Sequence, residues 1–161
     1  MANVDFASFV QTEFVPVPGK EGQGFPVRGL SADDLSKMFR LHGAALNALY
    51  LERIVASEGD PEAMSVNALG RALLETAPEA AAAAIALAAD AEEQYGYVRK
   101  LPLPVQVDAL AKIAALTFHS EEDLGNFVRT VLLGGQTVQK VLASLTKAGP
   151  STPGSEAFAK P

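Results

Sequence analysis

Apolar positions in this chain fall into two short runs near the start and a succession of helical stripes behind them. Glu13-Phe14-Val15-Pro16-Val17 alternates weakly, and Phe25-Pro26-Val27-Arg28 is placed to return as a second strand. Between them, Pro18 to Gly24 holds three glycines and one proline, a composition suited to a loop. Pro16 and Pro26 cannot donate ladder hydrogen bonds, so this hairpin must be short, edge-like or paired with another molecule. Two strands alone are marginal in water, and a helix or a neighbouring subunit is needed to cover them. Residues 1–12 form an N-terminal arm, with Phe6 and Phe9 at a spacing that fits either one helical turn or a loose segment.

Helical spacing begins directly after the second strand. Ser31 precedes it with Asp34 three residues on, the reciprocal cap that satisfies two orphan amides at a helix start. Steps of four and three from Leu35 give Phe39, His42, Leu46, Leu49 and Arg53, a face that is apolar except for its histidine and its end. The pattern predicts a first helix over 32–56, stopped by Ser57-Glu58-Gly59-Asp60-Pro61, with Gly43 explained by a close helix crossing. A second helix is expected over 63–75, with Val66, Leu69 and Leu73 on one face. A third is expected over 78–94, capped by Thr76-Ala77-Pro78-Glu79 and rich in alanine. Pro102 and Pro104 stiffen a connector into a fourth helix over 105–118, whose expected face is Leu103, Val107, Leu110, Ala114 and Phe118. Ser120 with Asp123 then opens a fifth. Its stripe, Leu124, Val128, Val131, Gly135, Val138, Leu142 and Leu145, has the period of a seam that faces a partner helix. Gly134 and Gly135 read either as a kink or as a flat spot for a second backbone.

The fold class is therefore mainly α: about five helices, a short N-terminal β-hairpin, and a C-terminal tail. Residues 13–146 make a single helical domain. From Lys147 to Pro161 the composition is that of a disordered tail. A chain of 161 residues suits one compact domain. Its hydrophobic share of 48% is inflated by alanine, with aromatics at 7% and no tryptophan, so the core must come from closely packed small helices. Alanine-rich faces and proline-limited strands lead to the expectation of a homo-oligomer. With no cysteine, disulfides, thiolate metal sites and thiol nucleophiles are excluded, which fits a reducing compartment. Met1 to Phe9 shows no basic segment followed by an apolar run, and the ten-residue apolar run Ala80 to Ala89 is about half of a membrane span. The net charge is −6, and lysines and arginines form no stripe, so phosphate backbones would be repelled.

Candidate chemistry is sparse. His42 falls on the apolar stripe of the first helix, where a buried, hydrogen-bonded imidazole is the expectation, and His119 lacks companions at ligand spacing. Asp33-Asp34 and Glu92-Glu93 are adjacent, so on a helix they diverge by about 100° and read as helix-start or solvated charges. No P-loop, dinucleotide fingerprint, nucleophile elbow or zincin motif occurs, and Gly19 to Gly24 lacks the following helix that would hold a phosphate. Neither catalysis nor a cofactor or metal is expected.

Phe14-Val15-Pro16-Val17, then Phe25-Pro26-Val27-Arg28-Gly29-Leu30-Ser31-Ala32-Asp33-Asp34-Leu35, and Arg40-Leu41-His42-Gly43 resemble the small tail assembly chaperones of long-tailed phages, also called pre-tape-measure proteins. The resemblance implies a protein of the host cytoplasm, absent from the mature virion. Such a protein binds the tape measure protein and keeps its apolar helices soluble while the tail tube assembles. It implies the tail tube protein as a further partner, no cofactor, and a longer frameshifted product. Alternatives are a virion structural or head-to-tail connector protein and, more weakly, a helical regulatory domain that binds nucleic acid. For client binding the first surface indicated is the fifth seam, Leu124, Val128, Val131, Gly134, Gly135, Val138 and Leu142, which is open to the second reading of a wholly internal contact.

Overall fold

The fold is a computed structural model that describes residues 4–56, 66–120, 122–123 and 126. It is mainly helical with a short two-stranded antiparallel hairpin near the N-terminus. Strand β1 (Thr12–Pro16) pairs with β2 (Gly24–Arg28), Val15 opposite Phe25 and Phe14 opposite Pro26. Val17 N–H donates to Gln23 O, so by antiparallel alternation the N–H positions of Pro16 and Pro26 point away from the partner strand. Neither proline costs a ladder bond, which is why both are accommodated in a five-residue strand. Gly19 and Gly22 hold positive φ in the connecting loop. Gly24 lies under the Phe14 ring, where a Cβ would collide with both the ring and Val15 O.

Helix α1 spans Ala32–Ala56, α2 Val66–Thr76, α3 Pro78–Ala88, α4 Tyr95–Val98 and α5 Leu103–Thr117. The cap of α1 forms as the sequence predicts: Ser31 N–H donates to Asp34 Oδ2 at 2.9 Å, and Asp34 N–H donates to Ser31 Oγ at 3.2 Å. Its buried stripe is set by Asp34, Met38 and Leu49, so Leu35, Phe39, His42 and Leu46 flank that stripe half-buried. Gly43 marks no helix crossing, since a Cβ there would meet nothing within 4 Å. The close approaches are elsewhere: Gly70 of α2 faces Leu110 Cβ, and Gly29 lies against the Leu116 carbonyl of α5.

The join between α2 and α3 differs from the expected cap. Thr76 is the last residue of α2, and Ala77 is the N-cap of α3, with Pro78 in the first turn. Ala77 N–H closes α2 on Leu73 O at 2.8 Å, and its carbonyl accepts from Ala81 at 3.1 Å, so a single residue serves both helices. Ala77 is buried and has no side-chain oxygen with which to cap, and Thr76, the expected cap, is taken into α2.

Helix α3 also ends at Ala88 rather than near Gln94. Ala91 N–H reaches back to Ala86 O and Asp90 N–H to Leu87 O, with Asp90 left-handed at φ 51. These two bonds make a Schellman closure, with aspartate in the place usually held by glycine. A 3-10 turn (Glu92–Gln94) and α4 use the remaining residues.

The core is built around α3. Ala80, Ala81, Ala82, Ala84, Ile85 and the three residues after it are all buried, and α1, α2, α4, α5 and β2 all touch the helix. Val15 and Val27 close the hairpin end of that core at 0% exposure. The alanine-rich face expected to remain uncovered is thus enclosed within the chain. On α5 the buried positions are Val105, Gln106, Ala109, Leu110 and Ile113, while Leu103 is 62% exposed. The buried face is therefore turned from the one expected and shares only Leu110 with it.

Candidate interaction surface

Of the residues indicated for client binding, Leu124, Val128, Val131, Gly134, Gly135, Val138 and Leu142 all lie outside the described residues, as do the tail 147–161 and nearly all of the helix that would carry the seam. Its predicted start is visible: Asp123 N–H donates to Ser120 Oγ at 3.1 Å.

Within the described residues, the densest polar constellation is centred on Arg28 at the end of β2. Its Nη1 donates to Asp34 Oδ2 at 2.6 Å and to Gly29 O at 2.9 Å. Nε donates to both Asp90 oxygens at 3.1 Å, and Nη2 donates to Asp90 Oδ1 at 2.8 Å and to Leu87 O at 3.2 Å. One guanidinium thus ties the hairpin to the N-terminal cap of α1 and to the C-terminal closure of α3. The hydrogen bonds from Arg28 to Asp90 and then to Asp34 raise the Arg28 pKa still further above its ordinary value. Burial is the largest single influence on Asp34 and pushes its carboxyl up. The bonds it accepts from Arg28 and from the Ser31 N–H and hydroxyl outweigh that, leaving it below its ordinary value. Every donor here meets an acceptor within the fold, so the cluster is a fastening and offers no vacant chemistry. By sequence Arg28 marks only a strand end, and its one signal is that of a lone arginine between an apolar strand and a Ser/Asp capping box.

A second fastening joins α5 to the hairpin, where Lys112 Nζ donates to Phe14 O at 2.9 Å and pairs with Asp108 at 2.8 Å. Buried Gln106 donates to Leu101 O at 2.8 Å. His42 is half-buried and His119 exposed, and among the described residues no three histidine or acidic side chains are grouped for a metal. No helix among the described residues is long and apolar enough to cross a membrane.

What the core leaves outside is more informative. Among the described residues, nine large apolar side chains are well exposed, and five of them fall between Val4 and Phe14. Phe6–Phe9 forms one 3-10 turn, opened by Asp5 Oδ1 accepting from Ala7 N–H at 3.1 Å. Side chains three apart eclipse in such a turn, so Phe6 and Phe9, at 77% and 72% exposure, stand on one side of it. Val10 is extended and shares the strand parity of Phe14, which is 51% exposed on the outer face of β1. The spacing of Phe6 and Phe9 was legible in the sequence, and the aspartate ahead of it is what selects the turn over the loose arm.

A family model described as pre-tape measure protein matches residues 6–152. No curated protein and no solved structure matches the chain.

Proposed function

The chain belongs to the pre-tape-measure protein family, which gives it a role in phage tail assembly tied to the tape measure protein, and on that premise we propose that it binds that protein and holds its apolar helices soluble while the tail tube is built. The observation that supports this is a core already closed around α3 beside large apolar side chains left in water, on a chain of net charge −6. A holdase needs both: adaptable apolar surface for the client, and charge of one sign to keep the loaded complex dispersed. The work is association and release, without catalysis or a cofactor. Its place is the host cytoplasm, and the protein is left out of the finished virion. A longer frameshifted product and a homo-oligomeric state belong to the same reading.

The test is co-expression with the tape measure protein of the same phage. The expected result is a rise in soluble tape measure protein and co-elution of the two chains on size exclusion. Tape measure protein that is equally insoluble with and without this chain refutes the proposal. Peptides of this chain in purified virions would favour the connector alternative.

A further inference from the structure

We infer that Lys112 guards the outer edge of β1: held on the Phe14 carbonyl, it keeps a second copy of this chain from adding its own β1 strand there. A two-stranded sheet has two edges, and each is a template for pairing with another chain unless something blocks it. By the alternation that turns Val17 N–H toward Gln23, residues 12, 14 and 16 present their backbone groups outward on β1, and residues 24, 26 and 28 do so on β2. The middle outward position of β2 is Pro26, which has no N–H, so that edge lacks its central donor. On β1 the middle position is Phe14, which keeps its N–H, and proline stands only at the end, as Pro16. Thr12 and Glu13 are exposed and Phe14 is 51% exposed, so this end of β1 is not covered by the helices.

The β1 edge is self-complementary. In an antiparallel pair of β1 strands centred on Phe14, each Phe14 N–H would donate to the Phe14 carbonyl of the other copy. Each Thr12 N–H would donate to a Pro16 carbonyl, a role that proline can fill because only its N–H is missing. Both central bonds need the Phe14 carbonyl, and that is the atom Lys112 Nζ holds at 2.9 Å. Asp108, one turn earlier on α5, pairs with the same ammonium at 2.8 Å and keeps it on the edge. A second strand would have to displace that ammonium, or bury it together with its twin from the other copy, and a buried charge is costly. One edge of the hairpin is thus closed by proline and the other by lysine, two devices that sheet proteins use against edge-to-edge association.

The experiment uses the full chain, with Lys112→Met and the milder Lys112→Gln as variants. Two fluorescent peptides are the probes: residues 11–17 of this chain, and the same peptide N-methylated at Phe14, which loses the central donor and keeps every side chain. Size exclusion with light scattering gives the assembly state, and circular dichroism reports the fold. The variants should keep the parent's helical spectrum, bind the unmodified peptide about tenfold or more tighter than the parent does, and ignore the N-methylated one. They should also form larger assemblies than the parent at the same concentration. Folded variants that bind the peptide no better than the parent overturn the inference. Equal binding of both peptides overturns it too, since it shows a sticky apolar surface in place of a paired strand. If both variants unfold, Lys112 is a strut of the fold and not a guard, and the inference falls.

Discussion

Replacing Arg28 with methionine should be among the most damaging single changes in the described fold. The substitution keeps the aliphatic stem and removes the guanidinium, whose side chain is 19% exposed and whose partner Asp34 is 7% exposed. Stranding a fully buried charge costs about 3–5 kcal/mol. Asp34 keeps its bonds from the Ser31 N–H and hydroxyl at 2.9 and 2.8 Å, which lowers that cost. The Asp90 pair contributes less, since that carboxylate is 71% exposed and such pairs are worth about 0–1 kcal/mol. A loss of about 2–4 kcal/mol is the balance. Urea melts followed at 222 nm measure it, with the cycle Arg28→Met, Asp34→Asn and the double variant isolating the pair. Asp90→Gly calibrates the other arm: it relieves a left-handed φ of 51 while losing an exposed ion pair, and should fall within about 0.5 kcal/mol of the parent. A loss below about 1 kcal/mol for Arg28→Met, or a larger loss for Asp90→Gly than for Arg28→Met, would refute the fastening argument.

Asp34 has a folded pKa below its ordinary value, so its contribution is complete above about pH 4 and is lost as pH falls through the folded value; urea midpoints between pH 6 and 3 should drop more steeply for the parent than for Asp34→Asn. Gly43→Ala meets open space on α1 and should stabilise by up to about 1 kcal/mol in the same melts. By contrast, Gly29→Ala puts a methyl 2.6 Å from the Leu116 carbonyl and should destabilise, so equal effects at the two glycines would contradict the packing described. Ala81→Leu, at a position with 0% exposure on the central helix, should cost about 1–3 kcal/mol by overpacking, seen as a lowered melting temperature.

Local signals carried the sequence reading where the responsible atoms are close along the chain. The Ser31–Asp34 cap, the hairpin and the bounds of α1 are all decided within a few residues, and each formed as the sequence indicates. Errors arose where a distant partner decides. Nothing local says that α3 stops at Ala88, since Asp90 is an uncommon left-handed residue and its carboxylate is engaged by an arginine sixty-two positions earlier. Alanine periodicity could not say which face of α3 is inside, and the answer is nearly all of it. Gly43 and Gly70 look alike in sequence, yet only Gly70 has another helix, at Leu110, within reach. For the candidate site, the seam residues from Leu124 to Leu142 lie outside the described residues, while the exposed Phe6 and Phe9 became meaningful only once the core was seen to close without them.

That closure changes what an association of this chain can rest on. Had α3 kept an alanine face open, copies could pack helix on helix, and client and self would compete for the same surface. With α3 enclosed, the face built for close helix approach is consumed inside the fold. The hairpin offers little in its place, because its outward donors are reduced by Pro16 and Pro26 and a carbonyl of its β1 edge is taken by Lys112. Association through the described residues therefore falls to side chains that are large, apolar and displayed on the outer face of a sheet or a single turn. Such side chains bind by area and shape without a fixed hydrogen-bond register. A strand-pairing edge, by contrast, imposes the fixed ladder of its hydrogen bonds on whatever it binds.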